Sequence, residues 1–147
     1  MRYWKALLIA LALGPYGPAF AAGIPVKLYK NPNCGCCNVY ADYLSANGFD
    51  VQAINTTDMS SVKKKFAVPE KLEGCHTAVI DGYVFEGLIP VQYLRQVLSE
   101  RRPIRGLSLP GMPSGVPGMP AMSGTRRGPL QIYYLSGTPS PEVFATF

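Results

Sequence analysis

"IPVKLYKNPNCGCCNVYADYLSANGFDVQAIN", residues 24–55, decides the fold of this 147-residue chain. Its first seven residues are a β-rich run with Val26, Leu28 and Tyr29 split between two faces, which reads as a buried strand. A Pro32-Asn33 turn follows. Val39, Tyr40, Tyr43 and Leu44 then recur at helical spacing until Gly48, a natural C-terminal stop. "FDVQAIN" (49–55) returns to a strand pattern through Phe49 and Val51, less strictly through Ala53 and Ile54. A strand, a helix and a strand at this spacing imply parallel pairing through a right-handed crossover.

Working outward, "TTDMSSVKKKFAV" (56–68) predicts a second helix. Thr57 or Asp58 caps it, Met59, Val62 and Phe66 share a face, and Pro69 closes it. The run Lys63-Lys64-Lys65 reads as its solvated side. "HTAVIDGYVFEGL" (76–88) places Asp81-Gly82 between two β-rich runs, a strong hairpin signal. Pro90 opens a third helix with Val91, Leu94, Val97 and Leu98 facing inward and Arg101 and Arg102 at its C-terminal end. The order is α/β, β-α-β-α-β-β-α, that of the thioredoxin fold. Residues 103–129 turn to Pro, Gly, Ser and Met with no period and read as a loop. "LQIYYL" (130–135) adds an edge strand, and the last twelve residues carry no signal.

Before the fold begins, "MRYWKALLIALALGPYGPAFAAG" has the parts of a secretory signal. Arg2 and Lys5 supply the positive start, residues 6–13 the apolar run, and Ala19-Phe20-Ala21 a cleavage site. The run is far short of the roughly 20 residues a membrane span needs, and Gly14, Pro15, Gly17 and Pro18 break it. The expected divisions are a signal peptide (1–21), a cysteine-rich thioredoxin-like domain (22–102), the loop (103–129) and a C-terminal strand and tail (130–147), with no membrane span after signal removal. Without the signal, 12 Lys and Arg face 9 Asp and Glu, an excess of about three, which makes no case for nucleic acid.

Export colours the reading of the four cysteines, since thiols in an oxidising compartment tend to pair. Two structural disulfides are one reading, with three connectivities available. The spacing argues against stapling. Cys36 and Cys37 are neighbours with Cα atoms about 3.8 Å apart, short of the roughly 4.4–6.8 Å usual for a disulfide. Either other connectivity closes one very short loop, which constrains little of the unfolded chain.

Cys34-Gly35-Cys36-Cys37 falls instead at a helix N-terminus, where free N–H groups and the helix dipole favour thiolates. Gly35 permits the tight turn. In the expected topology Cys75, just ahead of the 76–80 strand, occupies the position of the cis-proline loop of thioredoxin-like folds and faces the triplet. That juxtaposition, argued from analogy of fold, makes a four-thiolate pocket. Two chemistries suit it. Cys34 and Cys37 are spaced C-x-x-C, as in dithiol exchange. Four crowded sulfurs also suit a soft metal, and copper(I), which accepts low coordination and bridging thiolates, fits better than tetrahedral zinc. His76, Met112, Met119 and Met122 are additional candidate ligands, each with a structural alternative as a buried or surface-covering residue.

Three motifs in this order, "CGCC" (34–37), "GCHTAVIDGYVFEG" (74–87) and "LPGMPSGVPGMP" (109–120), resemble the CopG-type copper-resistance proteins over residues 26–134. These are exported bacterial proteins catalogued as a domain of unknown function. The resemblance implies a thioredoxin-like domain whose Cys34, Cys36, Cys37 and Cys75 bind copper, in a multinuclear copper–thiolate cluster, for periplasmic copper tolerance. The cysteine count at one expected pocket points to buffering copper(I) or handing it on, with other periplasmic copper-handling proteins as partners. The chain departs from the family where members commonly carry Trp and His in the first helix, here Tyr40 and Tyr43, and often a His at Leu88. A site left with thiolates alone favours copper(I) over copper(II). The alternative function is a thiol–disulfide or copper-linked oxidoreductase using Cys34 and Cys37.

Overall fold

A computed structural model describes residues 22–119, 128–136, 138 and 140–147; the expected signal peptide and Met122 lie outside the described residues. The deciding stretch folds as read. Strand β1 (Ile24–Lys30) and strand β2 (Phe49–Asn55) pair in parallel, with Ile24 opposite Phe49 and Lys30 opposite Asn55. Between them runs α1 (Gly35–Ala46). Its entry is set by Asn31, whose side chain accepts from Asn33 N–H at 2.9 Å while its carbonyl accepts from Cys34 N–H at 3.1 Å. Its exit is Gly48, which takes the left-handed conformation at φ +81° and returns its N–H to the Ser45 carbonyl.

The inward face of α1 is Cys37, Tyr40 and Leu44, a three-then-four spacing. Val39, read as part of the apolar pattern, is 51% exposed, because it falls on the flank of that stripe. Helix α2 (Met59–Lys65) is capped by Asp58, whose Oδ1 accepts from Ser61 N–H at 3.0 Å. A 3-10 turn (Glu70–Leu72) leads to β3 (His76–Ile80). The hairpin to β4 (Tyr83–Glu86) turns at Asp81 and Gly82, both at positive φ. Pro90 is the cap of α3 (Val91–Glu100) and not its first residue; Leu94 and Val97 are buried, while Val91 and Leu98 pack partly.

The sheet order is β2-β1-β3-β4, continued by three strands that lengthen the sheet to seven. Two of those three gave no signal. Residues 103–129, read as a loop, contribute β5 (Gly106–Ser108), parallel to β4. So short a run holds no measurable period, and its register comes from β4. The expected C-terminal strand is present as β6 (Gln131–Tyr134), but β7 (Val143–Thr146), drawn from the last twelve residues, forms the edge beyond it.

Strand alternation sorts the interior into two layers. Val26, Leu28, Ala78, Ile80, Phe85, Leu107 and Ile132 join Tyr40, Leu44, Leu94 and Val97 in the main core. Each fully buried Val, Leu, Ile or Phe among them contributes about 1.5–3 kcal/mol. Val68, Leu72, Val84 and Leu135 form a smaller cluster. Lys63 corrects the solvated reading of its run: it is 5% exposed. Its stem is one turn on from Met59, on the packed side of α2, and its ammonium meets the Glu86 carboxylate.

Candidate metal centre

The N-terminus of α1 and the residue preceding β3 bring the four cysteines together. Their Sγ atoms all lie within 4.8 Å of one another, the one such grouping of potential metal ligands among the described residues. Cys34 and Cys37 are joined as a disulfide with Cα atoms 5.3 Å apart. Cys36 and Cys75 are free thiols. Cys36 Sγ is the link, 3.4 Å from Cys34 Sγ and 3.7 Å from Cys75 Sγ. Cys37 Sγ, buried beneath, lies 3.8 Å from the Cys75 carbonyl oxygen.

In this structure the four sulfurs are one disulfide and two free thiols. Two sulfurs are held in a bond and carry no charge. Cys75 is a thiol, its pKa pushed up to about 12 by burial and then by Cys36 beside it. No side chain caps α1, whose N-cap residue is Cys34 itself.

His76 sits next to the cluster without joining it. Fully buried, it places Nδ1 3.2 Å from Cys75 Sγ and stacks on Tyr40 with ring centroids 4.6 Å apart. Burial first, and the Lys63 charge second, push its pKa down to about 3, with the Gly87 backbone opposing. Its neutral ring leaves Nε2 without a hydrogen-bond partner. The methionines divide. Met112 is 60% exposed. Met119 is partly buried in a turn closed by its N–H on the Val116 carbonyl at 3.0 Å. That turn covers the start of α1: a Cβ on Gly118 would stand 2.9 Å from the Cys36 carbonyl oxygen and 3.0 Å from Leu88. At this point residues 116–119 lie against the cysteine turn.

Comparison with solved structures settles the family. Two structures described as "Copper resistance protein copG", forms 1 and 2, match with TM-scores of 0.74 and 0.75. Each is 37% identical, and the match covers 85% of this chain and 98% of that one. The chain belongs to the CopG-type copper-resistance family. The family model described as "Protein of unknown function, DUF411" matches residues 72–119, which carry Cys75 but not the other three cysteines. No curated protein matches the chain by sequence.

Within this CopG-type fold, Tyr40, Tyr43 and Leu88 take part in packing. Tyr40 donates its hydroxyl hydrogen to the Ile89 carbonyl at 2.7 Å, and Tyr43 Oη accepts from Val91 N–H at 3.0 Å. Both tyrosines thus tie α1 to the start of α3. Leu88 is buried in the core.

The sequence reading missed three polar residues behind the site: Lys63, Thr77 and Glu86. Glu86 Oε1 accepts from Lys63 Nζ and from Gly74 N–H at 2.7 Å, and its Oε2 accepts from Thr77 Oγ1 at 2.6 Å. The signal was available in "YVFEGL", where one carboxylate interrupts an apolar strand. A buried carboxylate requires a partner.

Proposed function

We propose that this chain is an exported, periplasmic copper(I)-binding protein, in which Cys34, Cys36, Cys37 and Cys75 hold the metal on a thioredoxin-like frame. The observation that carries the reading is the convergence of four sulfurs within 4.8 Å. Sulfur-only donors suit copper(I), which tolerates low coordination and shared thiolates, so that several ions can be taken up in one cluster. Opening all four ligands requires reduction of the Cys34–Cys37 disulfide by two electrons and two protons. The role is buffering copper, or passing it between other periplasmic copper-handling proteins.

Anaerobic titration of reduced residues 22–147 with copper(I), against a chromogenic chelator and followed by native mass spectrometry, tests this. At least one ion is expected to bind and to be retained through desalting. Uptake no better than that of a protein lacking all four cysteines refutes the reading.

A second reading, a thiol–disulfide or copper-linked oxidoreductase, is favoured by the Cys34–Cys37 bond at a helix start with the Cys36 thiol 3.4 Å from Cys34 Sγ. It requires a reducible bond. A Cys34–Cys37 potential well above roughly −300 mV, measured in glutathione or dithiothreitol redox buffers, supports it; a lower one assigns the bond a structural role.

A further inference from the structure

We propose that the buried Lys63–Glu86 pair is a positioning device for Cys75, clamping the backbone at Gly74 so that the Cys75 thiol faces Cys36. Its copper-binding consequence rests on the function proposed above; its geometric consequence does not.

The pair is expensive in itself. Lys63 and Glu86 have side-chain exposures of 7% and 0%, and desolvating two charges commonly cancels their attraction. Apolar residues of similar volume generally stabilise a core as well. What apolar residues cannot do is hold the backbone, and here both ends of the pair do so at one residue. Glu86 Oε1 accepts from Gly74 N–H at 2.7 Å, and Lys63 Nζ donates to the Gly74 carbonyl at 2.9 Å. The Gly74 carbonyl belongs to the peptide plane that leads into Cys75. Since that plane is rigid, its orientation restricts where Cβ and Sγ of Cys75 go.

The neighbouring contacts complete the clamp. Thr77 Oγ1 donates to Glu86 Oε2 at 2.6 Å, locking the carboxylate's second oxygen. On the far side of Cys75, Gly87 N–H donates to the His76 carbonyl at 3.0 Å. Ahead of it, Gly111 N–H donates to the Glu73 carbonyl at 2.9 Å. Gly74 also has no room to shift: a Cβ there would stand 2.7 Å from Gly87 Cα. Cys75 is thus suspended between anchored residues, and its Sγ lies 3.7 Å from Cys36 Sγ, a contact between residues 39 apart in sequence. Groups that orient a metal ligand through one intervening bond typically carry a large share of its affinity.

The test uses two charge-free variants. Lys63→Met with Glu86→Leu removes the clamp at similar volume; Lys63→Met with Glu86→Gln restores an acceptor for Gly74 N–H. With the Cys34–Cys37 bond intact, iodoacetamide labelling of Cys75 relative to Cys36, read by peptide mass spectrometry, is expected to rise in the first variant and less in the second. After reduction, copper(I) affinity is expected to fall about tenfold in the first variant, and the fall to disappear in a Cys75→Ser background.

General destabilisation would instead expose Cys36 and Cys75 alike and persist without Cys75, and that pattern overturns the proposal. So does a folded first variant with wild-type labelling. If that variant does not fold, the second decides by the same selective labelling against wild type. Should the wild type bind no copper while Cys75 labelling still rises selectively, the clamp stands and the copper reading falls.

Discussion

Cys36→Ser is expected to lower the copper(I) affinity of the reduced protein by about a hundredfold or more, equivalent to about 2.8 kcal/mol, and to cost more than Cys75→Ser. The reason is position within the cluster. Cys36 Sγ is the atom in contact with both sides of the site, 3.4 Å from Cys34 Sγ and 3.7 Å from Cys75 Sγ. Removing Cys75 leaves three sulfurs at one helix start. Removing Cys36 takes out the sulfur in closest contact with both sides and leaves Cys75 facing the Cys34 and Cys37 pair only across separations of up to 4.8 Å, so ligation shared through the central sulfur is lost. A serine hydroxyl is a hard, protonated donor that does not replace a thiolate for copper(I). Fold is not at stake, because Cys36 is only partly buried. Competitive titration of the two serine variants, reduced and oxygen-free, reads the result. Equal losses, or a larger loss for Cys75→Ser, would show that the sulfurs act as independent ligands and that Cys36 is not the link.

The residues legible in the sequence are those whose role follows from local period or turn chemistry. The strand, helix and strand over residues 24–55 were readable because Val26, Leu28, Tyr40 and Leu44 carry the burial that their spacing announces. The Asp81-Gly82 hairpin was readable because its positive φ values restrict the choice of residue. That the four cysteines meet followed once the topology brought β3 beside β1. What escaped depends on distant partners. β5 is three residues long and takes its place from β4, and β7 takes its place from β6, so neither has a signal of its own. Lys63 resembled its neighbours Lys64 and Lys65 in sequence, and only Glu86, 23 residues on, distinguishes it. The sequence offers no local signal for Cys75 either: burial, and then Cys36 beside it, raise its pKa, and both depend on the fold.

Gly87→Ala is expected to destabilise the protein by about 2–5 kcal/mol, the sum of a left-handed backbone penalty of about 1–2 kcal/mol and an overpacking cost of about 1–3 kcal/mol. Gly87 sits at φ +79°, and a Cβ there would stand 2.2 Å from the Leu109 carbonyl oxygen. Backbone does not give way as a flexible side chain does. Moving Leu109 strains its N–H bond to the Glu86 carbonyl at 2.9 Å, and moving Gly87 strains its own bond to the His76 carbonyl at 3.0 Å. Gly82 supplies the control, since it has φ +83° but nothing within 4 Å of its added Cβ. Gly82→Ala should therefore show only the backbone term, about 1–2 kcal/mol. Urea unfolding of both variants separates conformation from close approach. Because Gly87 follows Glu86 and bonds the His76 carbonyl, the damage should also reach the cysteine cluster, with faster labelling of Cys75 in Gly87→Ala but not in Gly82→Ala. Equal midpoints for the two variants would mean that β5 yields freely, and the tight approach of Gly87 to Leu109 would then have no part in holding the cysteine loop.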